Sequence, residues 1–149
     1  MSIQFVLDTK EFDRYMKKID ADMRVKVAKE AMVAGGEVAV AQAKINVNNW
    51  GLWKMGKLAN SIDVRNPTPT SIEFGSTGVI YAAIHEFGGV ILPKRAKALH
   101  WVDDDGNDVF ALRVVMPARP YIRPVLQEHR QDILDAIAAK VKSYLEASK

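Results

Sequence analysis

The sequence predicts a single α+β domain in which a small, mostly antiparallel sheet is packed by a long N-terminal helical segment and a C-terminal amphipathic helix. Apolar residues recur at helical spacing near both ends of the chain, whereas short β-branched and aromatic segments separated by turn residues fill the middle. The length of 149 residues matches one domain. No internal repeat, low-complexity tract or linker interrupts residues 1–149, so one domain is expected over the whole chain.

The composition excludes several classes of protein. The chain is 48% hydrophobic and 26% charged, and it has no cysteine, which rules out disulfides, thiolate catalysis and cysteine-ligated zinc. No apolar run approaches the roughly 18 residues of a membrane span, and the N-terminus lacks the basic and apolar regions of a secretory signal. We therefore expect synthesis in the cytoplasm and no membrane partner. The net charge of +3, from 21 basic and 18 acidic residues interleaved along the chain, does not by itself predict nucleic-acid binding.

The N-terminal third is predicted to contain one strand and two helices. Ile3 to Leu7 alternate as a short strand, and Asp8 begins a capping-box-like start to a first helix, whose apolar stripe lies within residues 12–19. A second helix, rich in Ala and Val, is predicted over residues 21–45. Its Gly35-Gly36 pair lowers helix propensity by about 1 kcal/mol per glycine, which we interpret as a kink or a close helix contact.

A loop rich in large apolar side chains is predicted from Asn46. It carries Trp50, Trp53 and Met55 among asparagines, glycines and lysines. Two interpretations remain open at this point. The three side chains fold back on the domain as a satellite cluster, or they form a partner-binding arm, since exposed aromatics and methionine are enriched at interface cores.

The middle of the chain is predicted to consist of short elements separated by turns. They are a helical turn over residues 56–61, strands over 61–65 and 71–74, a helix over 80–87 with Ile80, Ile84 and Phe87 on one face, and strands over 90–92, 98–102 and 109–115. The segment DDDGND, with its Asp-Gly pair, indicates a hairpin turn between the last two strands.

A C-terminal amphipathic helix is predicted over residues 124–147. Its apolar stripe consists of Leu126, Ile133, Ile137, Val141 and Tyr144, with Leu134 and Leu145 beside it. Complete burial of five such side chains contributes on the order of 7–15 kcal/mol before the entropy cost, so this helix is expected to be a main packing element.

Candidate catalytic and metal sites fail on spacing. The DDDGND segment lacks the Asp positions of an EF-hand loop, and a glycine stands where a zinc-protease motif that begins at His85-Glu86 needs its second histidine. We predict no enzyme and no cofactor. The alternative of a metal-dependent hydrolase rests on two possible acid–base pairs, His85 with Glu86 and His100 with Asp103 or Asp104.

A small nucleic-acid-binding module is the other alternative. The basic residues in and around the predicted hairpin are Lys94, Arg95, Lys97, Arg113, Arg119 and Arg123. They are not interleaved with stacking aromatics, as a platform for single strands requires. Arg119 and Arg123 are equally suited to bind loop carbonyls or carboxylates through forked hydrogen bonds.

Three short motifs follow one another along the chain. They are GKLANSI at residues 56–62, YAAIHEFGG at 81–89 and ARPYIRP at 118–124. Together with the long helical N-terminal half, they resemble the phage tail-component family of head–tail joining, neck and tail-completion proteins from long-tailed phages. Tyr121 stands where that family more often has Phe, and residues 92–115 are longer than in a minimal version.

The resemblance implies a non-enzymatic structural protein of the virion, assembled in the host cytoplasm. It implies a ring of six or twelve copies at the head–tail junction. The tail terminator or tail tube protein lies on one side of this ring and the portal or head-completion protein on the other. Genomic DNA passes non-specifically through the lumen.

Ring subunits need head-to-tail surfaces that close on themselves, and the tryptophan loop, the hairpin and the proline-rich corner are the candidates. The expected interface residues are Trp50, Trp53, Met55, Glu86, Phe87, Arg119, Tyr121 and Arg123. Glu86 and Arg119 are hypothesised to form an ion pair with a structural role.

Overall fold

The computed structural model describes residues 3–6, 17, 20–52 and 56–147. The elements in this part of the chain are, in order, β1 (Ile3–Val6), α1 (Ala21–Asn49), α2 (Gly56–Asn60), β2 (Ile62–Arg65), β3 (Ser71–Ser76), α3 (Ala82–Phe87), β4 (Gly89–Ile91), β5 (Leu99–Val102), β6 (Asp108–Ala111), β7 (Val114–Met116), α4 (Arg123–Glu128) and α5 (Arg130–Ala147). The predicted α+β class is confirmed, with long helices towards both ends and short antiparallel strands between them. The first helix predicted over residues 12–19 lies outside the described residues except for Lys17, which is in a turn.

Helix α1 lies between the sheet and helix α5. Its buried positions recur every four residues in two adjacent columns, one with Val27, Ala31, Gly35, Ala39, Ala43 and Val47 and the other with Ala28, Met32, Gly36 and Val40. A Cβ atom at Gly35 would lie 2.6 Å from Ile137 of α5, and one at Gly36 would lie 2.6 Å from Val64 of β2. Each glycine therefore lets a different neighbour approach the helix axis. The interpretation of this pair as a close contact is confirmed.

Helix α1 continues to Asn49, one turn beyond the predicted end at Ile45. The prediction of a loop from Asn46 was therefore wrong for the first four residues. Val47 is fully buried, and Asn46 Nδ2 donates a hydrogen bond to the backbone carbonyl of Tyr121 at 3.2 Å. These tertiary contacts outweigh the low helix propensity of the asparagines in this turn.

Strands β1, β3 and β2 form an antiparallel sheet with β3 in the centre. The register pairs Phe74 of β3 with Ile3 on one side and with Val64 on the other. Ile72 and Phe74 are fully buried, and Ile72 reaches the surface of α1 at Gly36. The sheet therefore covers one side of α1, while α5 covers another.

The helix predicted over residues 124–147 is divided at His129 into α4 and α5. The apolar stripe is retained across the division, because the buried residues are Val125, Ile133, Ile137 and Val141. Leu126, which the sequence placed in the stripe, is only half-buried. At the division, His129 Nδ1 lies 2.9 Å from Asp132 Oδ2, and an acidic side chain in the first turn stabilises the new start of α5.

Replacing Gly36 by Leu is expected to lower the free energy of unfolding by roughly 1–3 kcal/mol, measured by urea denaturation. The added side chain has no room between α1 and the sheet, because even a Cβ atom would meet Val64 and Ile72. The matched control is Glu37→Leu, on the next and exposed position of the same helix, which is expected to change stability by no more than about 0.5 kcal/mol. Equal stability of the two variants would contradict the close contact.

Candidate functional site: a β-arm and the clasp at its base

Residues 89–116 form a two-stranded β-arm. Gly89 pairs with Met116 where the arm begins, and Val102 pairs with Asp108 next to its end turn. The hydrophobic core of the described residues includes Ala82 and then, in sequence order, Tyr121, but nothing between them. Within the described part of the chain, the arm therefore contributes no side chain to the core, and its strands pair only with each other.

The arm contains a basic bulge. Seven residues, 92–98, separate β4 from β5, whereas only residues 112–113 separate β6 from β7 on the returning side. The longer segment carries the three exposed cations Lys94, Arg95 and Lys97. The prediction of one strand over residues 109–115 was wrong, because the unequal segments divide the ribbon into the β4–β7 and β5–β6 pairs.

The end of the arm is an acidic tip, formed by the turn after β5. Asp103 N–H donates to the carbonyl of Asn107 at 3.0 Å, and the Asp103 carboxylate accepts from the N–H groups of Asp105 and Asn107 at 3.0 and 2.8 Å. The Asn107 N–H lowers the pKa of Asp103 below its usual range. Gly106 adopts φ 85°, which favours glycine. The predicted hairpin turn is confirmed.

The acid–base hypothesis required His100 to pair with Asp103 or Asp104, and it does not. Its Nε2 instead lies 2.6 Å from Asp108 Oδ1 across the ribbon, and its ring stacks on Phe110 with centroids 4.6 Å apart. The His100 side chain is 50% exposed and the Asp108 side chain is 67% exposed, so this is a surface contact of the arm.

Large apolar side chains are exposed along the whole arm. They are Val90, Ile91, Leu92, Trp101, Val102, Phe110, Leu112 and Val115. Phe110 is 68% exposed and Leu112 is 75% exposed. The register places Val102 and Phe110 on one face of the β5–β6 ribbon and Trp101 on the other, so apolar side chains are exposed on both faces. Extensive exposed apolar surface marks interaction sites in proteins. Sequence reasoning proposed the hairpin as a candidate surface but missed these residues, although the scarcity of polar side chains on either face of β5–β7 was a usable signal.

The base of the arm is held by the Glu86 carboxylate, which is fully buried. Its Oε2 accepts hydrogen bonds from the backbone N–H groups of Tyr121 and Ile122 at 2.7 and 2.9 Å. Its Oε1 accepts from the backbone N–H of Arg123 at 3.0 Å and from Arg123 Nε at 3.1 Å. The carboxylate thus satisfies N–H groups at the start of α4, which have no partner within the helix.

Two backbone contacts complete this base. The N–H of Arg119 donates to the carbonyl of His85 at 2.6 Å. Gly88, at φ 69°, leaves no space for a side chain, because a Cβ atom would lie 2.8 Å from the backbone nitrogen of Ala118. We call residues 85–88 and 118–123 the clasp, since they join the chain where it enters the arm to the chain where it returns.

The clasp determines which face of α3 is buried. The predicted face with Ile80, Ile84 and Phe87 is wrong, because Ile80 is 97% exposed and the fully enclosed residues are His85 and Glu86 together with Ala82. Hydrogen bonding by Glu86 outweighs the apolar periodicity of this short segment.

The hypothesis that Glu86 forms an ion pair with Arg119 is also wrong, because it names the wrong arginine. The ion pair is with Arg123, whose Nη2 also donates to the Glu86 carbonyl at 2.8 Å and whose guanidinium lies 5.0 Å from the centre of the Phe87 ring. Arg119 contributes its backbone N–H to the clasp. Its charge also acts on His85, since burial and, to a lesser degree, the Arg119 guanidinium lower the pKa of that imidazole.

The other predicted interface residues divide into buried and exposed groups. Tyr121 is fully buried in the clasp, where burial and the nearby Glu86 raise the pKa of its phenol to about 12. Trp50 is 45% exposed, and its Nε1 donates to the carbonyl of Pro120 at 2.9 Å, which ties the end of α1 to the clasp. Phe87, whose ring lies against the Arg123 guanidinium, is 55% exposed. Trp53 and Met55 lie outside the described residues, and an interface role for the whole set stays a prediction.

The clasp is poorly suited to acid–base chemistry. Both oxygens of Glu86 are occupied by backbone and guanidinium donors, and the pKa of the enclosed His85 lies below its ordinary value. Among the described residues, no helix has the length and hydrophobicity to cross a membrane, and no three His, Cys, Asp or Glu side chains are arranged to hold a metal ion.

Comparison with known proteins identifies one family. A family model described as the phage virion morphogenesis family matches residues 33–142, well over half of the chain. The matched region includes all three sequence motifs, the β-arm and the clasp. No curated protein and no solved structure matches the chain.

Replacing Glu86 by Gln is expected to lower the free energy of unfolding by at least roughly 1–3 kcal/mol, because an amide leaves buried backbone N–H groups without an acceptor. Arg123→Gln is the matched comparison and is expected to cost less. The Arg123 side chain is about half exposed, and its loss leaves the three backbone donors on Glu86 in place. Urea denaturation measures both variants. A larger loss in Arg123→Gln would show that the ion pair, rather than the backbone contacts, holds the clasp.

The buried His85 predicts a pH dependence of stability. The folded protein holds the pKa of His85 below the value of about 6.5 expected in the unfolded chain, so the unfolded state binds the proton more readily. The free energy of unfolding is therefore expected to fall as the pH decreases below about 6.5. In the His85→Gln variant this part of the slope should disappear, as measured by denaturation between pH 7.5 and 5. Parallel curves for the two proteins would contradict the assignment.

Proposed function

Because the chain belongs to the phage virion morphogenesis family, we propose that it is a structural subunit of the head–tail junction. In this role it assembles as a ring of six or twelve copies. The ring joins the portal or head-completion protein on one side to the tail terminator or tail tube protein on the other. Genomic DNA passes through the lumen without sequence-specific contact, and the subunit performs no catalysis and needs no cofactor.

The observation that carries this proposal is the β-arm with its eight exposed apolar side chains. A two-stranded hairpin is marginally stable by itself, and soluble monomers rarely expose contiguous apolar surface of this extent. The clasp nevertheless holds the chain through hydrogen bonds both where it enters the arm and where it returns from it. A rigidly held but uncovered apolar ribbon fits a protein whose final environment is an assembly.

The arrangement of charges favours this role over the two alternatives. A hydrolase built on Glu86 would need a free carboxylate oxygen, and both oxygens of Glu86 already accept hydrogen bonds. A DNA-reading patch would need its cations together, but Arg123 is bound to Glu86 in the clasp. Lys94, Arg95 and Lys97 lie together in the basic bulge, but no aromatic side chain is interleaved with them to stack on bases.

Disruption of the gene in a phage that encodes this chain tests the proposal. DNA-filled heads and complete tails are expected to accumulate as separate particles, and addition of the purified protein is expected to join them. Electron microscopy counts joined particles, and a gold label on an epitope-tagged subunit locates it in the product. Normal joining without the protein, or a label at the distal end of the tail, would refute the proposed position.

A further inference from the structure

We propose that the β-arm docks on the β-arm of a second copy of this chain, with the acidic tip of one arm on the basic bulge of the other. The acidic tip consists of Asp103, Asp104, Asp105 and Asp108, and the basic bulge is residues 92–98. The inference deepens the proposed function, since it rests on self-assembly and identifies the contact that links copies.

The two charged ends of the arm are too far apart to neutralise each other. Strand β5, four residues long, separates the bulge from the tip, which corresponds to about 13 Å at about 3.3 Å per residue. Exposed charges at this separation are largely screened at physiological salt, where the Debye length is about 8 Å. Within the part of the chain that the structure describes, Lys94, Arg95 and Lys97 form no ion pair. Their complement is therefore expected on another molecule.

The same arm supplies that complement. Its tip has a formal charge of −4 and its bulge has a formal charge of +3, so the tip of one copy and the bulge of another have opposite charge. In-register parallel arms would place acidic tip on acidic tip, which is unfavourable, as like charges opposite each other on neighbouring strands are. Arms that are offset or antiparallel instead bring each tip to a bulge. The charge pattern thus both selects the second copy and sets its register.

The surface between the two charged ends is apolar. Val102 and Phe110 lie on one face of the strands that connect tip and bulge, Trp101 lies on the other face, and Leu112 lies opposite the bulge. Each of the two ribbons has two strands, so every strand of the arm leaves one backbone edge unpaired within the described chain. Contact between two arms through the face with Val102 and Phe110 therefore covers apolar side chains at its centre and pairs opposite charges at its rim, the usual organisation of a protein interface.

Tip and bulge are different patches of one subunit. A contact between them is heterologous when the arms are offset, so that each copy binds one neighbour through its tip and another through its bulge. Such a contact continues from copy to copy until the ring closes. Antiparallel arms would use both patches within one pair and would give a closed dimer.

Charge reversal of the two ends tests the proposal. The tip variant carries Asp104→Lys, Asp105→Lys and Asp108→Lys, which makes the net charge of the tip positive and keeps Asp103 in the turn. The bulge variant carries Lys94→Glu and Lys97→Glu, which makes the net charge of the bulge negative. We expect each variant alone to self-associate at least tenfold more weakly than the wild type, because tip and bulge then repel. A mixture of the two variants, and a single chain with all five substitutions, are expected to regain association. Sedimentation velocity at about 0.1 M salt measures the masses.

Two controls separate this effect from a general effect of charge or folding. Lys26→Glu with Lys29→Glu makes the same change of charge as the bulge variant, at exposed positions of α1, and is expected to leave association unchanged. Phe110→Thr with Leu112→Thr removes apolar surface from the arm without altering its charges and is expected to weaken association. Thermal unfolding of each variant verifies that the domain is folded.

The remaining outcomes distinguish failure of the proposed contact between arms from failure of the proposed ring. A wild-type protein that remains monomeric at all concentrations, or a loss of association that the mixture does not recover, rules out contact between arms and indicates a different partner for this surface. Charge variants that form the same ring as the wild type also rule it out, while the proposed ring stands. A mixture that forms only dimers supports contact between arms and rules out the ring.

Discussion

The hydrogen bonds from three consecutive backbone N–H groups to one buried carboxylate are the contact on which the rest of the molecule depends. Glu86 is the penultimate residue of a six-residue helix, and residues 121–123, which start 35 residues further along the chain, lead into the next one. A carboxylate without partners would be too costly to bury at this position, and N–H groups at a helix start lack acceptors. Each side therefore satisfies a requirement of the other. The contact fixes the direction of α4 and the distance, at the base of the β-arm, between the chain that enters the arm and the chain that returns from it.

The remainder of the structure separates stability from recognition. Helix α1 is enclosed by the sheet and α5, and two glycines bring both neighbours close to its axis. Within the described residues, every member of the hydrophobic core lies outside the β-arm. The arm adds exposed apolar side chains and two opposite charge clusters, none of which stabilise the body. In the proposed assembly, the body supplies a rigid support and the arm supplies the contacts.

The sequence predicted features that depend on local patterns. The long helices followed from apolar periodicity, the hairpin turn from its Asp-Gly pair, and the family from three short motifs. Features that depend on distant segments were not predictable in this way. The end of α1 is set by Tyr121, and strand 109–115 is divided because its partner strand has a seven-residue insertion. Glu86 was recognised as structural, but its main partners are backbone N–H groups, which no side-chain pattern identifies.

The unequal segments within the arm have a consequence for how the protein can diverge. Gly89 and Met116 face each other at the point where the ribbon leaves the clasp, so the residues beyond them can change in length or sequence without altering the clasp. Natural proteins stay only slightly above the stability that they need, which normally restricts the substitutions they accept. Because the arm contributes nothing to the core, most changes in it escape that restriction. We therefore expect the body to tolerate changes in the arm that alter its choice of partner.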